Sequence, residues 1–83
     1  MNEITILNPG VHVLDREDQF PFVSFFSFGE VVRGLTLSGF KFETTEASLE
    51  MGMTKFTSNE LAEGVCTISF REGICLMVRS SDA

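Results

Sequence analysis

The sequence predicts an all-β domain, or a β-rich α+β domain, from three observations. Apolar and polar residues alternate with period two, β-branched and aromatic residues are frequent, and turn residues recur at short intervals. We expect a small antiparallel sheet of about six or seven strands, curled into a barrel or a sandwich, with one short helix near residues 58–63. A chain of 83 residues has room for a single domain, residues 1–83.

The first part of the chain predicts two short strands and a loop. Residues 4–7 alternate and are closed by the turn-forming sequence Asn-Pro-Gly at 8–10, and a second short strand follows at 11–14. Residues 15–19 are polar and carry three carboxylates within four positions. They could coordinate a hard cation, but the glycine and spacing of a calcium loop are missing, so we interpret them as a solvated loop.

The segment FPFVSFFSF places five phenylalanines within residues 20–28. As a strand it directs four of them to one face, and Val23 and Phe25 to the other, so both faces are largely apolar. Such a strand lies in the centre of a covered sheet or at a subunit interface. The candidate interface residues from this segment are Phe20, Phe22, Phe25, Phe26 and Phe28.

The segment GLTLSGFKF changes the parity of its apolar positions halfway along. A two-residue hairpin loop at 38–39 explains the change, because Leu37 then faces Phe40 and Leu35 faces Phe42 on one apolar side. The alternative is a single strand with a bulge at the glycine. We favour the hairpin.

Residues 47–53 carry an apolar side chain at every second position, which predicts another half-buried strand with an acidic outer face. The sequence TSNELAEG then matches a short helix, with Thr57 as N-cap, Glu60 at the capping-box position and Gly64 as the stop.

The final segment, VCTISFREGICLMVR, predicts a β-hairpin with its turn at 72–73. In that register Phe70 faces Cys75 and Cys66 faces Arg79, so the two cysteines lie too far apart for a disulfide. We expect two free, buried thiols.

The composition argues against several classes of function. The formal net charge is −6, with 12 acidic and 6 basic residues, which disfavours direct nucleic-acid binding. No signal peptide and no apolar run of membrane-spanning length is present, so we expect a cytoplasmic protein without a membrane partner. The acidic residues Glu43, Glu46 and Glu50 are candidates for contact with a basic patch on a protein partner.

Residues that could carry chemistry are few. His12 is the only histidine, and Cys66 and Cys75 fall at apolar positions where burial makes a thiol inert. We therefore expect no catalytic residue, no cofactor and no metal.

Met51 and Met53 place two thioethers on one face of the predicted strand. This pair resembles the methionine pair of small bacterial β-barrel copper chaperones, and the resemblance implies Cu(I) binding. We favour the interpretation that both methionines pack in the core.

The function we predict is a non-enzymatic, small acidic protein-interaction module that forms a homodimer. It would be an inhibitor or adaptor acting on a basic protein surface, of the kind that phages and mobile elements encode. The alternative is a β-barrel that binds a small molecule in an apolar pocket lined by phenylalanine and methionine. A Cys/His enzyme and a Cu(I)-binding protein are further hypotheses.

Overall fold

The computed structural model describes residues 2–15, 19–62 and 64–81. These residues form the strands β1 (Asn2–Leu7), β2 (Gly10–Leu14), β3 (Phe22–Ser27), β4 (Val32–Ser38), β5 (Thr44–Leu49), β6 (Asn59–Glu60), β7 (Cys66–Phe70) and β8 (Cys75–Ser80). The strands make two antiparallel four-stranded sheets: the β1 sheet, in the order β1-β8-β3-β6, and the β2 sheet, in the order β2-β7-β4-β5. The all-β, antiparallel prediction is confirmed. The single curled sheet is wrong, and the described residues form neither a helix nor a closed barrel.

A common core lies between the two sheets. From β3, Val23 and Phe25, which the alternation placed on one face, are fully buried, and from β4 Leu35 is fully buried too. The Phe25 ring makes an edge-to-face contact with Phe40, with 5.8 Å between centroids. Inward-facing side chains of both sheets therefore pack against one another.

The predicted final hairpin is wrong, because its two strands belong to different sheets. Strand β7 pairs with β2 and β4, whereas β8 pairs with β1 and β3. The connection at 71–74 is docked on β4: the Arg33 N–H donates to Glu72 O at 3.0 Å, and the Arg71 N–H donates to Arg33 O at 2.8 Å. The chain therefore crosses from one sheet to the other. Cys66 and Cys75 nevertheless face the shared core, and both are free and buried as predicted.

The predicted hairpin at 38–39 is also wrong. Leu37 pairs with Thr44 rather than facing Phe40, so the turn between β4 and β5 spans residues 39–43. A carboxylate oxygen of Glu43 accepts a hydrogen bond from the Gly39 N–H at 2.7 Å and closes this wider turn. Phe42 is consequently 60% exposed instead of buried beside Leu35.

Two predictions for residues 47–63 fail at glycine and serine positions with positive φ. The strand predicted over 47–53 ends at Leu49, and a turn with Gly52 at φ 84° leaves Met51 67% exposed, so only Met53 packs against the core. The predicted helix is replaced by β6, and Ser58 precedes it at φ 54°, outside the helical region.

Some predictions fall on residues outside the described ranges. Residues 16–18, which include two of the carboxylates in the predicted solvated loop, and Glu63 at the end of the predicted helix belong to this group. Within the part of the chain that the structure covers, no helix has the length and apolar character needed to cross a membrane.

Candidate functional site

A cleft of about 240 Å³ opens where the β4–β5 turn meets the chain entering β6. We call it the Phe42 cleft. One wall comes from the end of the turn and the start of β5, and the other comes from the segment before β6 and its first residue. The lining residues are Phe42, Glu43, Thr44, Lys55, Phe56, Thr57 and Asn59.

Asn59 joins the two walls. Its side chain is buried, and the residue is only 3% exposed. Its Oδ1 accepts hydrogen bonds from the Phe42 N–H at 3.0 Å and the Glu60 N–H at 2.9 Å, and its Nδ2 donates to Phe42 O at 2.8 Å. A buried amide whose oxygen and nitrogen are both hydrogen-bonded fixes the backbone around it. The position of Phe42 is therefore tied to β6.

The two phenylalanines of the cleft differ in exposure. Phe56 is 6% exposed, and its carbonyl accepts a hydrogen bond from the Phe25 N–H at 2.9 Å, so it forms a fixed apolar floor. Phe42 is open to solvent, with the Lys41 Nζ 5.4 Å from its ring centroid. That lysine is paired with Glu60 at 3.1 Å. An exposed aromatic ring beside a buried one is suited to a flat ligand.

The charged groups of the cleft are Glu43 and Lys55. Glu43 uses one carboxylate oxygen to close the β4–β5 turn, and Lys55 Nζ lies 5.6 Å from the centroid of the Phe56 ring. The Glu43 carboxylate stands next in the chain to the open Phe42 ring, and both an aromatic face and a carboxylate attract a cation. The arrangement offers a planar ligand an aromatic face and a carboxylate at Phe42 and Glu43, and an ammonium group at Lys55.

The structure divides the predicted interface phenylalanines into two groups. Phe20 and Phe25 are 5% and 0% exposed, so their rings belong to the interior and cannot meet a partner. Phe28 is 55% exposed, and Phe22 and Phe26 lie half-buried on the outer face of the β1 sheet. This outer face carries apolar side chains on three strands, Ile4, Ile6, Phe22, Phe26, Leu76 and Val78, together with the polar residues Asn2, Ser24 and Ser80.

The three predicted acidic interface residues lie in three different settings. Glu43 lines the cleft, Glu46 makes an ion pair with Arg71, and Glu50 follows the end of β5. Of these, Glu43 alone lines the Phe42 cleft.

The structure does not assemble the Cys/His pair considered for catalysis. Burial raises the pKa of the Cys75 thiol to about 12, which keeps it protonated and unreactive at neutral pH. His12 lies on β2, in the sheet that does not contain Cys75, where its Nε2 donates to Asn8 O at 2.7 Å and its ring stacks on Phe70. Cys66 lies on β7, the neighbour of β2, but its thiol donates to Gly39 O at 3.0 Å. In the described residues, no group of three or more His, Cys, Asp or Glu side chains could hold a metal ion.

Sequence reasoning missed the two most informative residues of the cleft. Phe42 was assigned to an apolar hairpin face, and Asn59 was placed inside a helix. The signal for Asn59 was the run Thr-Ser-Asn at 57–59, since these residue types hydrogen-bond to nearby backbone in turns as well as at helix starts.

Comparisons with known proteins give a consistent result. The family model "Thiamin pyrophosphokinase, vitamin B1 binding domain" matches residues 11–75. The chain is 36% identical over 81 residues to the thiamine pyrophosphokinase of Bacillus subtilis (strain 168), covering 98% of this chain and 38% of that protein. The crystal structure of the Bacillus subtilis thiamine pyrophosphokinase matches with a TM-score of 0.93 at 35% identity, and that of the Geobacillus thermodenitrificans enzyme with 0.89 at 38% identity. Each match covers 99% of this chain and 38% of the other chain.

These matches overturn the predicted function. A non-enzymatic protein-interaction module of the inhibitor or adaptor type is wrong, because the matching family is a vitamin-binding domain. The expectation that the protein is not an enzyme is contradicted too, because the relatives are named for an enzyme, of which this chain matches 38% of the length. The alternative, a small-molecule-binding domain, agrees with the matches. Its predicted barrel and methionine lining do not agree with the structure.

Proposed function

The chain belongs to the thiamin pyrophosphokinase vitamin B1 binding domain family, and from this membership we propose that it binds thiamine, which is vitamin B1, in the Phe42 cleft. The family match over residues 11–75 is the observation that supports thiamine as the ligand. The position of the cleft rests on its geometry and on the residues that line it.

The chemistry of thiamine fits these residues. Thiamine has two flat rings, an aminopyrimidine and a thiazolium with a permanent positive charge. The open ring of Phe42 offers an aromatic face for stacking and for a cation–π interaction, and Phe56 supplies apolar surface below it. The Glu43 carboxylate supplies opposite charge for the thiazolium.

The polar side chains of the cleft supply hydrogen-bonding groups for the remaining edges of the ligand. The hydroxyl groups of Thr44 and Thr57 are the candidates for the pyrimidine amine and ring nitrogens, since a hydroxyl both donates and accepts. Thr57 already donates to Thr54 O at 2.8 Å, so its oxygen is oriented to accept a further hydrogen bond from a ligand amine.

We further propose that this domain is the vitamin-binding part of a thiamine pyrophosphokinase. The chain spans 38% of the length of the enzyme relatives that it matches. Pyrophosphokinase activity is accordingly proposed for a protein in which this domain accompanies the remaining length of those enzymes.

Titration of the 83-residue chain with thiamine, followed by amide chemical shifts, tests both the ligand and its place. We expect saturable shifts concentrated at residues 42–44 and 55–59. Thiochrome, which is derived from thiamine but lacks the thiazolium charge, is the matched ligand control and should bind more weakly. The absence of saturable shifts would contradict thiamine binding. Saturable shifts confined to residues outside 42–44 and 55–59 would show that thiamine binds elsewhere than in the Phe42 cleft.

A further inference from the structure

We infer that Asn59 is a positioning residue, which sets the orientation of the Phe42 ring and thereby the affinity of the cleft for its ligand. The inference rests on the proposed function and deepens it. It assigns Asn59 a role exerted through Phe42 instead of a direct contact with the vitamin.

Packing holds the Phe42 ring only weakly. Its residue surface is 60% exposed, so burial of the ring contributes little to fixing its position. An exposed side chain is placed mainly by its own backbone. The orientation of this ring is therefore set by the hydrogen bonds of the turn that carries it.

Asn59 supplies both backbone hydrogen bonds of Phe42. Its Oδ1 accepts from the Phe42 N–H at 3.0 Å, and its Nδ2 donates to Phe42 O at 2.8 Å. The neighbouring Lys41 N–H donates to Glu60 O at 2.8 Å, so the turn is held against β6 at two successive residues. The side chain of Asn59 thus binds both backbone polar groups of Phe42, as a paired strand residue would do through its backbone.

Removal of the amide should loosen this turn without disturbing the core. In Asn59→Ala both polar groups of Phe42 lose their partner, and we expect thiamine affinity to fall on the order of tenfold, as for the loss of about two hydrogen bonds. Ile68→Val is the matched control for stability, since Ile68 is fully buried and is not among the residues lining the cleft. It should destabilise the fold and leave thiamine affinity unchanged.

A double-mutant cycle separates positioning from direct contact. If Asn59 acts through Phe42, Asn59→Ala adds little to the loss already caused by Phe42→Ala. If Asn59→Ala still lowers affinity by the full factor in the Phe42→Ala background, Asn59 contacts the ligand itself and the positioning role is overturned.

In the conservative variant Asn59→Asp, thiamine affinity relative to the unmodified chain should depend on pH. The ionised carboxylate keeps the acceptor for the Phe42 N–H but has no donor for Phe42 O, whereas the protonated carboxyl restores one. Thiamine affinity relative to the unmodified chain should therefore recover as pH falls through the pKa of the introduced carboxyl. Other titratable groups lie nearby: Glu43 and Lys55 line the same cleft, and Lys41 and Glu60 pair beside the turn. The affinity of the unmodified chain is therefore measured at every pH as the reference. A ratio that stays constant with pH would overturn the inference.

Hydrogen exchange of the Phe42 amide tests the positioning role without any ligand. We expect faster exchange in Asn59→Ala than in the unmodified chain, because Oδ1 is lost, whereas the carboxylate of Asn59→Asp keeps an acceptor for this amide. Unchanged exchange in Asn59→Ala would overturn the inference. If the unmodified chain bound no thiamine, the proposed function would fail, and exchange at Phe42 would still decide the role of Asn59.

Discussion

Replacement of Phe42 by alanine should weaken thiamine binding substantially while leaving the fold intact. A phenylalanine has roughly 200 Å² of surface to bury, and the 60% exposure of Phe42 leaves most of it available to a ligand. A flat ligand on one ring face would cover about 60 Å², which corresponds to about 1.5 kcal/mol at roughly 25 cal/mol per Å². The cation–π interaction with a thiazolium adds about 0.5 to 1 kcal/mol. Together these terms predict an affinity loss of roughly 30- to 60-fold for Phe42→Ala.

The assay is isothermal titration of thiamine into the purified chain, with Phe28→Ala as the matched control. Phe28 is 55% exposed, close to the value for Phe42, but it is not among the residues lining the cleft. Phe42→Leu keeps apolar surface and loses the aromatic face, so it should recover part of the affinity. Equal thiamine affinity in Phe42→Ala and Phe28→Ala would refute the argument that the open ring of the cleft holds the vitamin.

The remaining predictions concern charge, the buried thiol and self-association. Glu43→Gln should lower thiamine affinity about 1.4- to 5-fold and remove the dependence of that affinity on salt. Titration of thiamine at two ionic strengths checks this. An unchanged salt dependence would exclude Glu43 as the group that balances the thiazolium charge. Burial raises the pKa of Cys75 from 9.0 to about 12, so the unfolded state loses this proton first, and the free energy of unfolding should fall between about pH 9 and 12. Urea unfolding at each pH should give a shallower fall in Cys75→Ala, and equal slopes would contradict the assignment. The homodimer stays a prediction: light scattering should give twice the 9.2 kDa chain mass, and Phe26→Glu, on the apolar outer face of the β1 sheet, should restore the monomer. A monomer at every concentration would contradict it.

The phenylalanine segment at residues 20–28 shows which features of the fold could be predicted. Alternation alone placed Val23 and Phe25 on one face and Phe22 and Phe26 on the other, and the structure buries the first pair and leaves the second half-buried. This works because successive side chains of any extended strand point to opposite sides, whatever the strand pairs with. The same rule placed Cys66 and Cys75 towards the core, even though the hairpin assumed for them does not exist.

The candidate site could be predicted far less well. Phe42 and Asn59 are 17 positions apart in sequence, and only the approach of the β4–β5 turn to β6 joins them. An exposed phenylalanine and a buried asparagine both oppose the usual preferences of their residue types, so composition points away from them. Exceptions of this kind are expected where function competes with stability.

Sequence pattern alone was enough to predict short antiparallel strands, the residues that share a face within the phenylalanine strand, and two thiols that are buried and free. These properties depend on neighbouring residues of one strand. Three features became visible in the folded chain alone: which strands pair, where the chain crosses between sheets at 71–74, and that the turn at 39–43 meets β6 to form a cleft. These outcomes depend on contacts between residues distant in sequence, such as the docking of Glu72 on Arg33 and of Asn59 on Phe42. The energies of such contacts exist only once the two segments have been brought together.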